Sequence, residues 1–119
     1  DWRVCYQSRV GPLKWIGPAT DAEIRKAGAE GKGVVIAPIA FVSEHSETLV
    51  ELDIEYAHLA GTAGVPDYLR VPTVGTTRAF VEGLADLVER VSVTCGTASG
   101  ADGRICPRGF GACAMETAR

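Results

Sequence analysis

The chain has 119 residues, enough for about one domain, and a net charge of −3 at neutral pH. Mild acidity argues against a nucleic-acid partner, which would call for a basic patch or stripe. No apolar run approaches the ~18–20 residues that span a bilayer, and without a signal peptide the expected compartment is the cytoplasm.

The sequence opens without Met and runs directly into the apolar segment Val4 to Tyr6, so it reads as a fragment or processed piece of something longer. "WRVCYQS", Trp2 to Ser8, is predicted as a strand, and "RVGPLKWIGPAT" as a loop punctuated by Gly and Pro. Thr20 followed by Glu23 is a capping-box signature for a helix through about Glu30, closed by Gly31 and Gly33. The apolar, β-branched run "GVVIAPIAF" suits a strand buried on both faces of a parallel sheet. Ser43 or Ser46 is the expected cap of the next helix, which runs to about Ala60 and ends at Gly61 or Gly64. "DYLRVPTV" is a short strand whose Pro72 favours its end or an edge. Thr76 and Thr77 begin a last helix carrying Phe80, Leu84, Leu87, Val88 and Val91 at helical spacing. From Ser92 onward the periodicity disappears into Gly, Ser, Ala and Cys.

This order of strands and helices implies an α/β fold with right-handed crossovers and helices on both faces of a parallel sheet. Three strands make a thin sheet, which points to further strands upstream. Ligands of such folds gather at the carboxyl ends of the strands. Two segments lie there: the loop after Ser8 and the turn from Phe41 to His45.

That turn opens "FVSEHSETLVELDIEY", which is dense in carboxylates, with no Lys or Arg between Lys32 and Arg70. On a helix turning ~100° per residue, Glu51, Glu55 and Glu44 fall about 40°, 80° and 60° from Glu47. Four carboxylates therefore share one stripe, with His58 at its far end and Asp53 pointing elsewhere. Carboxylates four residues apart repel by a few tenths of a kcal/mol, so the stripe calls for a reason. A solvated acidic face is one reading. A path leading from the His–x–Glu pair, carrying a hard cation or relaying protons, is the other. Spacing alone does not choose between them.

"CYQSRVGPLKWIGPAT" followed by "PIAFVSEHSETLVELDIEY" closely resembles the carboxy-terminal half of the ferrochelatases, which insert ferrous iron into protoporphyrin to make haem. The match runs with consistent spacing from about Arg3 to Val91. The resemblance implies one half of a pair of Rossmann-like, flavodoxin-like domains, each a three-layer αβα unit, facing each other across a porphyrin cleft. Residues 1–91 would form the carboxy-terminal domain and residues 92–119 a Gly- and Cys-rich tail. His45 and Glu47 match the family's catalytic His–x–Glu pair, with Glu47 also facing the metal. Glu51 and Glu55 match acidic residues that continue a proton or metal path along the same helix, part of which is π-helical in the family. Tyr6, Trp15 and Phe41 match aromatics near the porphyrin, Tyr6 standing where many members have Trp or Phe. Glu44 replaces the usual Asp, and Ser46 an apolar residue. The family's favoured proton acceptor, in a His–Ser–x–Pro-like segment of the amino-terminal half, has no counterpart here.

The implied partners are protoporphyrin IX, ferrous iron as substrate, and the amino-terminal half, through which any peripheral membrane contact would come. A coproporphyrin ferrochelatase, a related cobalt chelatase, or a non-catalytic porphyrin- or haem-binding module would share these residues. Some members hold a 2Fe–2S cluster on three tail cysteines spaced C–x6–C–x–C and one from the amino-terminal half. Here Cys106 and Cys113 keep that spacing as candidate ligands, and Met115 stands at the third position. Thioether is a poor substitute for thiolate in such clusters. Cys95 is a distant alternative, and incidental thiols are the plain one.

Overall fold

The computed structural model describes residues 1–9, 11–93, 97, 99–101 and 103–113. Cys95 and Met115 lie outside the described residues. The chain divides into two compact units, Asp1–Gly75 and Thr76–Arg119.

The first unit is built on a two-stranded parallel sheet. Strand β1, Val34–Ile36, pairs with β2, Tyr68–Arg70, in the register Val34 with Tyr68, Val35 with Leu69 and Ile36 with Arg70. Both strands are shorter than predicted. After Ile36 the chain turns at Pro38, which has no N–H to donate, and the Ile39 and Phe41 amides bond to Ala37 and Pro38 carbonyls. The predicted first strand contracts to one parallel bridge between Tyr6 and Ala19. Its two hydrogen bonds, Tyr6 N–H to Pro18 and Thr20 N–H to Tyr6, are both 2.9 Å.

Burial on both faces of β1 is not what the unit shows. Val34, Ile36 and Tyr68 pack against a core of Ile24, Ala60 and Val65 contributed by the helical side. Val35 and Leu69, pointing the other way, are 68% and 56% exposed. The apolar run therefore reads correctly as strand, but only one of its faces is covered by described residues of this unit.

Helix α1 spans Thr20–Ala29. The expected capping box does not form, because both of its side chains are taken by the opening segment. The Thr20 hydroxyl faces the Cys5 thiol at 3.4 Å, and the Glu23 carboxylate pairs with Arg3 at 3.0 Å. The predicted stop does form: Gly31 takes the left-handed backbone that glycine tolerates, and its N–H bonds the Gly28 carbonyl.

The acidic segment folds as a π-helix over Glu47–Tyr56, running directly into α2, Ala57–Thr62. Neither Ser43 nor Ser46 caps it. Thr48, fully buried, does the tying instead: its hydroxyl accepts the His45 N–H and donates to the His45 carbonyl, both at 3.0 Å. The helix ends at Gly64, in the left-handed region. Gly28 lies so close to this end that a Cβ there would stand 2.1 Å from the Ala63 carbonyl oxygen, so α1 and α2 meet through bare backbone.

In the second unit α3 spans Arg78–Ser92 with Thr77 before it, as the sequence predicts. None of its residues is buried, and Val81, Leu84, Leu87 and Val88 on its apolar side are all about half exposed or more. Among the described residues beyond it, Arg104 holds a turn by donating to the Cys106, Pro107 and Phe110 carbonyls. Among the described residues no helix is long and apolar enough to cross a membrane.

Candidate active site

The turn between β1 and the π-helix brings Phe41, His45 and Glu47 together. The Phe41 and His45 rings meet edge to face with centroids 4.5 Å apart. His45 Nδ1 contacts the Glu47 carboxylate, to which the Ser46 hydroxyl also donates at 2.9 Å. The Ser46 hydroxyl, helped by the nearby imidazole, holds the Glu47 carboxyl below the usual carboxylate range. Both side chains are 40% exposed. At that exposure an ion pair contributes little to stability. An imidazole and a carboxylate sharing one contact form a unit that can take up or hand on a proton.

One turn further along, Glu51 is gripped from outside the helix. Its Oε1 accepts the Ser8 N–H and the Tyr56 hydroxyl, both at 3.0 Å. Its Oε2 accepts the Gln7 amide at 3.2 Å and the Ser8 hydroxyl. The Gln7 amide also donates to the Glu47 carbonyl at 3.0 Å, joining the two acidic residues to the opening segment. Burial, reinforced by the Glu51 carboxylate, pushes the Tyr56 phenol up, which keeps it a donor. Tyr68 binds the Leu52 carbonyl of the π-helix at 2.8 Å. π-helical turns are rare and are frequently found at functional sites. Here side chains from outside bond two of the helix's carbonyls.

Tyr6, Trp15 and Glu51 share a concavity of about 520 Å³. Phe41, His45 and Glu47 lie outside its lining, and Gln7 links the two groups. Glu55 and His58 are exposed along the same helical run. The sequence reading missed Gln7, Ser8 and Tyr56, although Gln7 and Ser8 stand inside the quoted motif. Gln7 and Ser8 act by pairing across more than forty residues of sequence (43 for Ser8 with Glu51), whereas Tyr56 reaches Glu51 from within the same helix.

Glu44 does not join the stripe, and the acidic segment does have a compensating cation. Arg70, at the end of β2, donates to Glu44 at 2.6 Å and grips Asp53 with two nitrogens, its side chain only 11% exposed. The Thr73 N–H adds a bond to Glu44 at 2.9 Å. The nearby Thr48 hydroxyl, the Thr73 N–H and Arg70 hold the Glu44 carboxyl at about 2, down from an ordinary 4.5, and Arg70 lowers Asp53 as well. Both groups bind protons more weakly folded than unfolded. Their contribution is therefore complete above about 4.5 and is lost as pH falls towards 2. Arg70→Met in the full-length protein is expected to lower the urea midpoint more at about pH 6 than at about pH 3.5. Equal losses at the two values would mean that Arg70 stabilises by packing alone.

In the tail, Cys106 is exposed and Cys113 is buried. A hydrogen bond with the Cys113 thiol pushes the Cys106 thiol up. No group of three or more His, Cys, Asp or Glu side chains among the described residues is arranged to hold a metal ion. The described tail thus supplies two of the four thiolates a 2Fe–2S cluster takes, which does not fit a complete site.

The sequence model of the ferrochelatase family matches residues 1–92. Ferrochelatases similar to this chain include that of Caulobacter vibrioides, 59% identical over 96% of the chain and 35% of the relative. That of Phenylobacterium zucineum is 56% identical over 98% and 34%, and that of Hyphomonas neptunium 47% identical over 95% and 32%. The chain spans about a third of the length of these curated relatives. A match covering most of the chain, with the His45–Glu47 pair and the π-helix inside it, settles its membership: the chain belongs to the ferrochelatase family.

Proposed function

We propose that this chain is the carboxy-terminal part of a ferrochelatase that inserts ferrous iron into protoporphyrin IX to give protohaem, the terminal step of haem biosynthesis. The observation that carries the reading is the His45–Glu47 pair, set at the mouth of a π-helix whose next carboxylate borders an aromatic-lined concavity. Metallation exchanges two pyrrole N–H protons for one divalent cation, so the site must accept protons as well as admit a cation. His45 and Glu47 take the catalytic role, with Glu47 also facing the incoming iron. Glu51 and Glu55 continue the path for protons or metal, and Tyr6, Trp15 and Phe41 contact the porphyrin.

In this reading residues 1–91 are the second half of a paired, three-layer αβα Rossmann-like architecture. The exposed Val35 and Leu69 side of the sheet is consistent with a further layer covering it. The protein works in the cytoplasm, with any peripheral membrane contact made by the amino-terminal half. The test is anaerobic incubation of the full-length protein with protoporphyrin and ferrous iron or zinc. Replacement of the free-base porphyrin spectrum by that of the metalloporphyrin is expected, and an unchanged spectrum would sink the reading.

Residues 92–119 form a degenerate cluster tail, with Cys106 and Cys113 in place and Met115 at the third ligand position. Full-length protein purified without oxygen is expected to hold little or no 2Fe–2S cluster, and Met115→Cys to raise its content. Stoichiometric iron and sulfide in the unmodified protein would show that another group completes the site.

A further inference from the structure

We infer that Ser8 is a positioning residue for metal insertion, acting through Glu51 rather than on the substrate. Ser8 is the one non-glycine residue among those described with a left-handed backbone, at φ +56°. That conformation carries a steric cost for any residue with a Cβ and none for glycine. What it achieves here is specific. It turns the Ser8 N–H and hydroxyl to the same side, so that the N–H reaches Glu51 Oε1 at 3.0 Å while the hydroxyl reaches Oε2. Gln7 and Tyr56 supply one further donor to each oxygen.

A carboxylate has about four lone-pair sites, and four donors here fix its plane. Tyr56 belongs to the π-helix itself, so the grip from outside comes from Gln7 and Ser8. Ser8 grips both oxygens and, with Tyr6, Trp15 and Glu51, lines the same concavity. Glycine would relax the backbone but would release the hydroxyl bond. The sequence keeps the strained residue that orients the carboxylate. A dipole or charge held in place before reaction costs no reorganisation during it.

The inference rests on the chelatase reading, which turnover by the unmodified full-length protein tests separately. In that protein Ser8→Gly and Ser8→Ala are compared with and without Glu51→Ala, following zinc insertion and thermal midpoint. Both Ser8 variants are expected to lose about tenfold in kcat, the low end of the ~10–100-fold that outer-shell partners carry. Their KM for porphyrin should change by less than about threefold, because the Ser8 N–H and hydroxyl are both engaged by Glu51. Ser8→Gly should keep the higher midpoint of the two, since it lacks the left-handed penalty. In the Glu51→Ala background the kcat effect should shrink below about twofold, the signature of two residues acting as one unit. Unchanged kcat in Ser8→Gly would overturn the inference, as would a tenfold loss that persists without Glu51. Should activity be too low to compare in that background, the midpoints decide. A Ser8→Ala destabilisation undiminished by Glu51→Ala would refute the grip.

Discussion

Glu47→Gln in the full-length protein is expected to leave the fold intact and to lower metallation by at least one to two orders of magnitude. A positioned acid–base group usually carries about 10²–10⁴-fold in rate, and the substitution removes the charge while keeping the shape. The fold should tolerate it because the Glu47 side chain contacts only Ser46 and His45 among its polar neighbours and is 40% exposed. The loss should fall on kcat more than on the KM for porphyrin, since the aromatics proposed to hold the ring are untouched. Glu55→Gln, in an exposed position further along, should cost less. Near-normal haem formation by the Glu47 variant would return the acidic segment to a merely solvated face.

The features of this site that could be read from sequence are those that lie close together in the chain. The His45–x–Glu47 pair, the aromatic at Phe41 and the glycine stops at Gly31 and Gly64 each depend on a few adjacent residues. The π-helix is different. Periodicity at ~100° per residue assumes an α-helix, and on that assumption Glu44 belongs to the stripe. In the structure Glu44 precedes the π-helix and is drawn away to Arg70, 26 residues later. Nothing local announces that pairing. The grip of Ser8 on Glu51 is likewise invisible until the opening segment is laid beside the helix. The first predicted strand contracted for another reason. A β-propensity run becomes ladder only where a partner donates to it, and Tyr6 finds a single bridge. The capping box at Thr20 failed by competition, since Cys5 and Arg3 offered its side chains other partners.

The 119 residues by themselves are expected to show no ferrochelatase turnover. The chain spans about a third of its relatives, and it contains no His–Ser–x–Pro segment to supply the proton acceptor that the proposed opposite wall would carry. What it does offer is one wall: Tyr6 and Trp15 beside Glu51, with Phe41, His45 and Glu47 adjoining. A porphyrin lying against one wall leaves its other face in water, whereas good small-molecule sites bury about 70–90% of the ligand. Water at the ring weakens the site's electrostatics through its dielectric, and pyrrole protons have only one side on which to leave. Residual weak binding of zinc near His45 and Glu47 is compatible with this, because those side chains are already in place. The decisive measurement is an anaerobic assay of the chain with protoporphyrin and ferrous iron or zinc, run beside the same chain mixed with the separately produced amino-terminal part. Activity only in the mixture would locate the missing base in that part. Turnover by the chain alone would refute the two-wall argument and leave the His45–Glu47 pair as the base.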